Sequence, residues 1–304
     1  MDCLHPLLIQ NPTPFYDEHG QVISASDKIF VPCGKCSACI VNFSNEWRSR
    51  LQIEYENSET SYFVTLTYDS DKLPIKGCPD SFGQLHYVPY VCKRDVQLFF
   101  KRLRKDMVGE QIRYYCVSEY GPCTFRPHYH AIIFGIPRFS DNPTKQIVEV
   151  TKYIQKSWSN GFVTVDQVTY GRISYVTKYL TCVTDLPEYY PPPFRLMSRN
   201  PGIGSSYLKK SSRVDWHRKN LANYIPDGSF KKRIPRYLKD KIFDDDMKAS
   251  IKEQSEILRK ENYKIDNDLA SSQGYTNYVD YKTDKINRHI RRFNHKLKKS
   301  RKDI

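Results

Sequence analysis

The sequence predicts an α+β fold whose centre is an antiparallel sheet with helices on one face. Three observations carry that expectation. Between residues 61 and 182, short segments rich in β-branched and aromatic residues are interleaved with longer segments of helical periodicity. Two of the strand-like segments follow one another directly across the turn-rich "YGPCTFRP", which makes them a hairpin. Past Leu186 the texture changes to a proline-rich connector and then to strongly charged sequence.

The elements are justified in chain order. "SYFVTLTYD" (61–69) has the composition of a strand. In "KRDVQLFFKRLRKDMVG" Val96, Phe99, Leu103 and Met107 recur at helical spacing, and the other face is basic. "IRYYCVSEYG" and "HYHAIIFG" read as the second and third strands. "TKQIVEVTKYIQKSW" places Ile147, Val150, Ile154 and Trp158 on one helical stripe, and Asn160-Gly161 ends it. "FVTVDQV" is a fourth strand and "GRISYVTKYLTC" a third helix. The resulting order is β-α-β-β-α-β-α, whose first six elements match the ferredoxin-like, split βαβ pattern.

The flanks are less regular. The first 60 residues contain prolines and the run "VPCGKCSACI", with a helix expected near Asn45 to Tyr55. After "LPEYYPPPFRLMSRNPGIGSSY" the chain ends in "INRHIRRFNHKLKKSRKDI", a basic extension expected to be helical or disordered until bound. Composition therefore suggests three regions: 1–60 with a cysteine cluster, 61–185 as the folded centre, and 186–304 as a basic C-terminal region.

The net charge of +14 calls for a polyanionic partner, nucleic acid or an anionic membrane surface. The tail has too few bulky apolar residues for a membrane-surface helix, and no apolar run nears the ~20 residues that span a bilayer. "MDCLHPLLIQ" does not read as a signal peptide, so the chain is expected in the cytoplasm. Nine cysteines, an odd count, fit poorly with a disulfide framework. The 23 tyrosines and 15 phenylalanines suit base stacking, and equally a core.

The chemistry-bearing residues begin with "RPHYHAIIFG" (126–135). Residues i and i+2 of a strand share a face, so His128 and His130 project together. Across the hairpin Glu119 falls nearly opposite His128. Two imidazoles and a carboxylate on one face leave coordination positions open on a metal, which can then polarise a phosphate oxygen. The bland alternative is that all three are hydrogen-bonded sheet residues. "SYVTKYL" places Tyr175 and Tyr179 four residues apart on one helix face, with Lys178 one turn after Tyr175. A phenol is a weak nucleophile at neutral pH, and a neighbouring ammonium favours its anion. Alone, such a pair is as well explained by packing.

The ordered set "FVTLTY" (63–68), "RPHYHAIIF" (126–134) and "YVTKY" (175–179) resembles the three motifs of the HUH endonuclease superfamily. The resemblance is nearest to the rolling-circle replication initiation proteins of microviruses, of the gokushovirus type. "VPCGKCSAC", "SRNPGIG" and "IPRYLKDKI" also look like segments of that branch. The resemblance implies an HUH endonuclease core in which Glu119, His128 and His130 hold Mg²⁺ or Mn²⁺. Tyr175 would attack the scissile phosphate of single-stranded or origin DNA, and Tyr179 would act in a second transfer. It further implies a 5′-phosphotyrosine link, a 3′-OH primer, host helicase and polymerase as partners, and action in the cytoplasm of a host bacterium. The chain departs from the pattern at one place: Tyr175 is followed three residues later by Lys178, but Tyr179 by Cys182.

Two further groups stand on the residues alone. Cys33, Cys36 and Cys39 form a C-x2-C-x2-C run. Such a run is either a structural zinc site, with Cys3, His5, Cys78 or Cys92 as a fourth ligand supplied by the fold, or a tight turn with small buried thiols. Lys101, Arg102 and Arg104 in "KRLRK", together with Arg126 and the tail, are candidate DNA contacts. "RNPGIG" (199–204) reads either as a phosphate-hugging loop or as a turn. Two other functions compete with origin nicking: a single-strand transposase or plasmid-type initiator, and a non-catalytic single-stranded DNA- or RNA-binding protein.

Overall fold

A computed structural model describes residues 3–12, 18–21, 28–121, 124–178 and 186–300. The chain divides into two compact units, Met1–Asn45 with Phe243–Ile304, and Glu46–Ile242. These borders differ from the compositional ones near 60 and 185.

The first unit opens with an antiparallel hairpin, β1 (Leu7–Gln10) and β2 (Lys28–Val31), in which Leu7 pairs with Val31. Helix α1 (Ser37–Glu56) starts earlier than the sequence suggests. Its first turns carry small and β-branched residues that do not read as helix, yet Ala38, Cys39 and Val41 are buried there. From Glu46 onward α1 belongs to the second unit.

The second unit contains the expected repeat: β3 (Ser61–Tyr68), a hairpin of β4 (Ile75–Pro79) and β5 (Leu85–Pro89), α2 (Lys93–Asp106), β6 (Arg113–Tyr120), β7 (Pro127–Phe134), α3 (Pro143–Ser157), β8 (Gly161–Gln167) and α4 (Tyr170–Lys178). It continues with β9 (Arg195–Met197), α5 (Ser211–Asn220), the hairpin β10 (Tyr224–Asp227) and β11 (Phe230–Arg233), and α6 (Arg236–Ile242). The central sheet runs β8-β3-β7-β6-β9, with every neighbouring pair antiparallel. Its first four members stand in the ferredoxin-like order, and β9 adds a fifth at the β6 edge. The first unit resumes with α7 (Asp245–Ser272) and α8 (Tyr278–Ser300), so the described part of the basic extension is helical. Among the described residues no helix is long and apolar enough to cross a membrane.

The two faces of the sheet differ in kind. Alternation sends Tyr62, Val64, Leu66 and Tyr68 of β3 and Tyr129, Ala131 and Ile133 of β7 to one face. There they pack on Val96, Phe99, Phe100 and Leu103 of α2 and on Val150, Ile154 and Trp158 from α3 and its C-cap. Each such side chain contributes about 1.5–3 kcal/mol by burial. Asn142 caps α3 by accepting the Lys145 N–H at 3.0 Å, ahead of Pro143 at the first helical position. The other face meets α1 and α4: the Trp47 ring lies 4.9 Å from that of Tyr115, and Tyr175 reaches Phe63 and His130. Helices thus cover both faces, the repeat's own pair on one and α1 and α4 on the other.

The hairpin β4–β5 falls in a segment whose prolines and glycines hide it, because its alternation is solvent-exposed. Its turn is held by Asp80, whose Oδ1 accepts the N–H groups of Phe82 and Gln84, both at 2.9 Å. Strand β9 is placed by tertiary pairing: the Ser118 N–H donates to Phe194 O at 2.9 Å, and the Tyr114 N–H to Ser198 Oγ at 3.0 Å.

The segment 199–204 is a packed turn. Arg113 donates to the carbonyls of Pro201 at 2.8 Å and Gly202 at 3.0 Å, and its Nε pairs with Glu54. The second oxygen of Glu54 accepts the Gly204 N–H at 2.7 Å. A Cβ on Gly202 would meet the Tyr237 ring at 2.8 Å. The loop's polar groups are therefore spent inside the protein, which removes the phosphate-hugging alternative.

A buried ion pair is costly to break singly, because the surviving charge is left without a partner. Glu54→Ala is expected to lower unfolding stability by about 3–5 kcal/mol in urea titration. An unchanged midpoint would show that Arg113 finds another partner. Gly161→Ala should also destabilise, because a Cβ there would stand 2.3 Å from the Asp69 N and Thr67 O of the paired β3 end.

Candidate active site

Register builds the site. Across β3, β7 and β6, Thr67 stands opposite His128, which stands opposite Glu119. In the next row Thr65 stands opposite His130, which stands opposite Val117. Directly opposed side chains of antiparallel strands share a face, so both rows project away from the α2–α3 core.

Each imidazole is held from behind by a threonine. The Thr65 hydroxyl lies 3.0 Å from His130 Nδ1, and that of Thr67 lies 3.3 Å from His128 Nδ1. Glu119 is the cross-strand partner of His128, yet its carboxylate bonds diagonally to His130 Nε2 at 2.9 Å. In that arrangement Nε2 carries a proton. When Nδ1–H instead donates to the threonine oxygen, the Nε2 lone pair is released toward Glu119. Burial, with the charge of His130 adding to it, holds His128 below the ordinary imidazole range, while the Glu119 charge works in the opposite direction. His128 is therefore neutral at pH 7, the form that ligates metals. Gly121 keeps the adjacent space clear: a Cβ there would stand 3.5 Å from His128 Nε2.

Tyr175 arrives from α4, whose Ile173 and Val176 are fully buried against the sheet. Its ring lies edge-on to His130, with centroids 5.3 Å apart, and 6.1 Å from Phe63. Phe63 itself stacks on His130 at 5.7 Å. Arg172, on the same helix, lies over Phe63 at 5.6 Å and pairs with Asp166 of β8 at 3.2 Å. Lys178 is half-buried, one turn beyond Tyr175. Tyr179 and Cys182 lie outside the described residues.

Other expected contacts lie elsewhere. Lys101, Arg102 and Arg104 ride on α2, across the sheet from the imidazoles. There Arg102 donates to Ser157 O at 2.8 Å and Arg104 to Ile112 O at 3.2 Å, so composition alone overstated their share in this site. Arg126 donates to Tyr68 O at 2.7 Å, tying the β6–β7 turn to the end of β3 two residues before His128. Cys33, Cys36 and Cys39 sit with Cys3 in the first unit. The sequence reading passed over Thr65, Thr67 and Gly121. The two threonines were legible in principle, since T-x-T in a strand must face the same way as H-x-H in its partner.

Comparison with known proteins agrees with the motif resemblance. Residues 61–183 match a family model of replication-associated proteins of the ORF2 type. The chain is 27% identical to the replication-associated protein ORF2 of Spiroplasma virus 4 over 90% of its own length and 87% of the relative's. It is 27% identical to the replication-associated protein VP4 of Bdellovibrio phage phiMH2K, over 79% of this chain and 76% of that one. A third relative, the replication-associated protein ORF4 of Chlamydia phage 1, is 29% identical over 49% of this chain and 37% of its own. The chain thus resembles the microvirus-type replication-associated proteins, as the three motifs indicate. No solved structure is significantly similar to it.

The electrostatics make a prediction for the metal-free protein. His128 should titrate below a free imidazole in an NMR pH series. Because Glu119 is the group that raises it, Glu119→Gln should lower the midpoint further; an upward move would contradict the assigned causes.

Proposed function

We propose that the chain is a replication initiator that nicks single-stranded or origin DNA through Tyr175 and rejoins it, in rolling-circle replication within the host bacterium. The observation that carries this reading is the meeting of the helix-borne Tyr175 ring with the sheet-borne His130 ring at 5.3 Å, beside the row that joins Glu119, His128 and Thr67. The names of the relatives support the replication role, and the site supports the chemistry.

The donor set fits a hard-to-borderline divalent ion such as Mg²⁺ or Mn²⁺: two imidazole nitrogens, one carboxylate, and space kept clear by Gly121. His128, His130 and Glu119 would hold it, with Thr65 and Thr67 orienting the rings through Nδ1. Such an ion supplies Lewis-acid polarisation of non-bridging phosphate oxygens. The protein's own residues do the rest. Tyr175 Oη forms the new bond to phosphorus and loses its proton to solvent. The 3′ oxygen of the preceding nucleotide leaves with the electron pair of the broken P–O bond and takes up a proton. Lys178, one turn along the helix, favours the phenolate. The products are a 5′-phosphotyrosine and a 3′-OH that a host polymerase can extend, with a host helicase opening the duplex ahead. The phosphoester energy is kept in the covalent link, so attack by a later 3′-OH closes the circle without ATP. Tyr179 is assigned the second transfer, and 61–185 the nuclease segment.

The test is incubation with origin-containing single-stranded DNA and Mn²⁺, then denaturing electrophoresis. A covalent protein–DNA band should form, vanish with EDTA, and fall at least about a thousandfold in Tyr175→Phe. His128→Ala should abolish it, and wild-type rates in that variant would sink the assignment. Thr65→Val should cost about 10–100-fold, as expected for a residue acting through a ligand.

A further inference from the structure

The other concentration of metal-binding side chains lies in the first unit. We propose that Cys3, Cys33, Cys36 and Cys39 form a tetrathiolate site for a structural zinc ion, with Cys3 as the fourth ligand. This assignment does not rest on the nicking reading and uses none of its residues.

The geometry is that of a site waiting for a small tetrahedral ion. The four Sγ atoms all lie within 4.8 Å of one another, the only such group of His, Cys, Asp or Glu among the described residues. Zn–S bonds of about 2.3 Å at tetrahedral angles put neighbouring sulfurs about 3.8 Å apart. The Cys3 and Cys36 sulfurs are 3.8 Å apart. A disulfide needs about 2.05 Å, and an iron–sulfur cluster needs room for its own sulfides between more widely spaced thiolates.

The backbone is arranged for sulfur that carries charge. The Cys33 N–H points at Cys3 Sγ at 3.2 Å, the Cys36 N–H at Cys33 Sγ at 3.3 Å, and the Leu4 N–H at Cys36 Sγ at 3.5 Å. A neutral thiol is a weak acceptor, whereas a thiolate draws such donors. Gly34, at φ 73°, turns the chain between Cys33 and Cys36 in the left-handed region. One zinc with four thiolates leaves two negative charges. Cys3 borders a cavity of about 490 Å³ whose wall includes Lys282, Lys285, Arg288 and Arg292 of α8, cations that offset that excess.

The fold also needs a clip at this place. Cys3 precedes β1 and Cys33 follows β2, so the cluster closes the base of that hairpin. Strand β1 is exposed at every residue, with Leu7 at 52% and Leu8 at 53%. A two-stranded hairpin without a buried face is marginal in water, and metal binding adds its free energy directly to folding. Four S–H bonds are exchanged for four Zn–S bonds, and the protons leave to solvent.

The experiment measures metal per chain on the purified full-length protein by plasma mass spectrometry, and the thiolate-to-cobalt absorption after Co²⁺ exchange. About one zinc per chain is expected, and the cobalt form should show the charge-transfer band of thiolate ligands. Zinc should be unaffected by His128→Ala, His5→Ala and Cys92→Ser. It should fall at least about tenfold in Cys3→Ser and Cys36→Ser, and be retained in Cys3→His, which keeps a ligand. Should the serine variants fail to fold, the wild-type cobalt spectrum and Cys3→His still decide. A wild-type chain that neither carries nor takes up zinc, stoichiometric iron in its place, a Cys3–Cys36 disulfide in the freshly isolated protein, or full zinc in Cys3→Ser would each overturn the proposal.

Discussion

The molecule depends on the two-residue period of its pleated strands, kept in register across β3, β7 and β6. Register makes Thr67, His128 and Glu119 one row and Thr65, His130 and Val117 the next. The same register sends Val64, Leu66, Tyr129 and Ala131 into the core on the other side. A slip of one residue would exchange the two sets and lose both packing and chemistry. Burial of the apolar set therefore holds the polar set in place: the core is the spring that aims the imidazoles.

A polar face under helices carries a desolvation cost, and the structure meets it by pairing. Each imidazole has a threonine at Nδ1, and Glu119 accepts a hydrogen bond from His130. Phe63 and Tyr175 flank the His130 ring and leave little room for it to rotate. Further along the same face, Glu54 and Arg113 neutralise each other and use their remaining hydrogen-bonding capacity on the 199–204 turn. These partners make the face rigid before any ligand arrives, which is what positioning for phosphoryl transfer requires. The hairpin β1–β2 has no comparable core, which is why four cysteines at its base carry structural weight.

Much of this was legible before any coordinates. Strands β3, β6, β7 and β8 and helices α2 and α3 follow from periodicity, because each buries one face against the same core and its composition shows it. The start of α1 was not legible, since its small and β-branched residues are helical only in their packed setting. Strand β9 was hidden as well: three residues after a proline run form a strand only because β6 offers an open edge. The basic run on α2 shows the limit of composition. Its charges are visible in the sequence, but which side of the sheet they occupy is not.

By itself the sequence determined the periodicities, the spacing of the histidines and tyrosines, and the basic charge, all of which are local or additive properties of a chain. Only the tertiary structure decided that Thr65 and Thr67 stand behind the imidazoles, that Tyr175 meets His130, that Lys101, Arg102 and Arg104 lie on the far face, and that Cys3 joins Cys33, Cys36 and Cys39. Each of these is a meeting of residues distant along the chain. Such meetings are set by strand register and by which surfaces must leave water, and neither is written in any one segment.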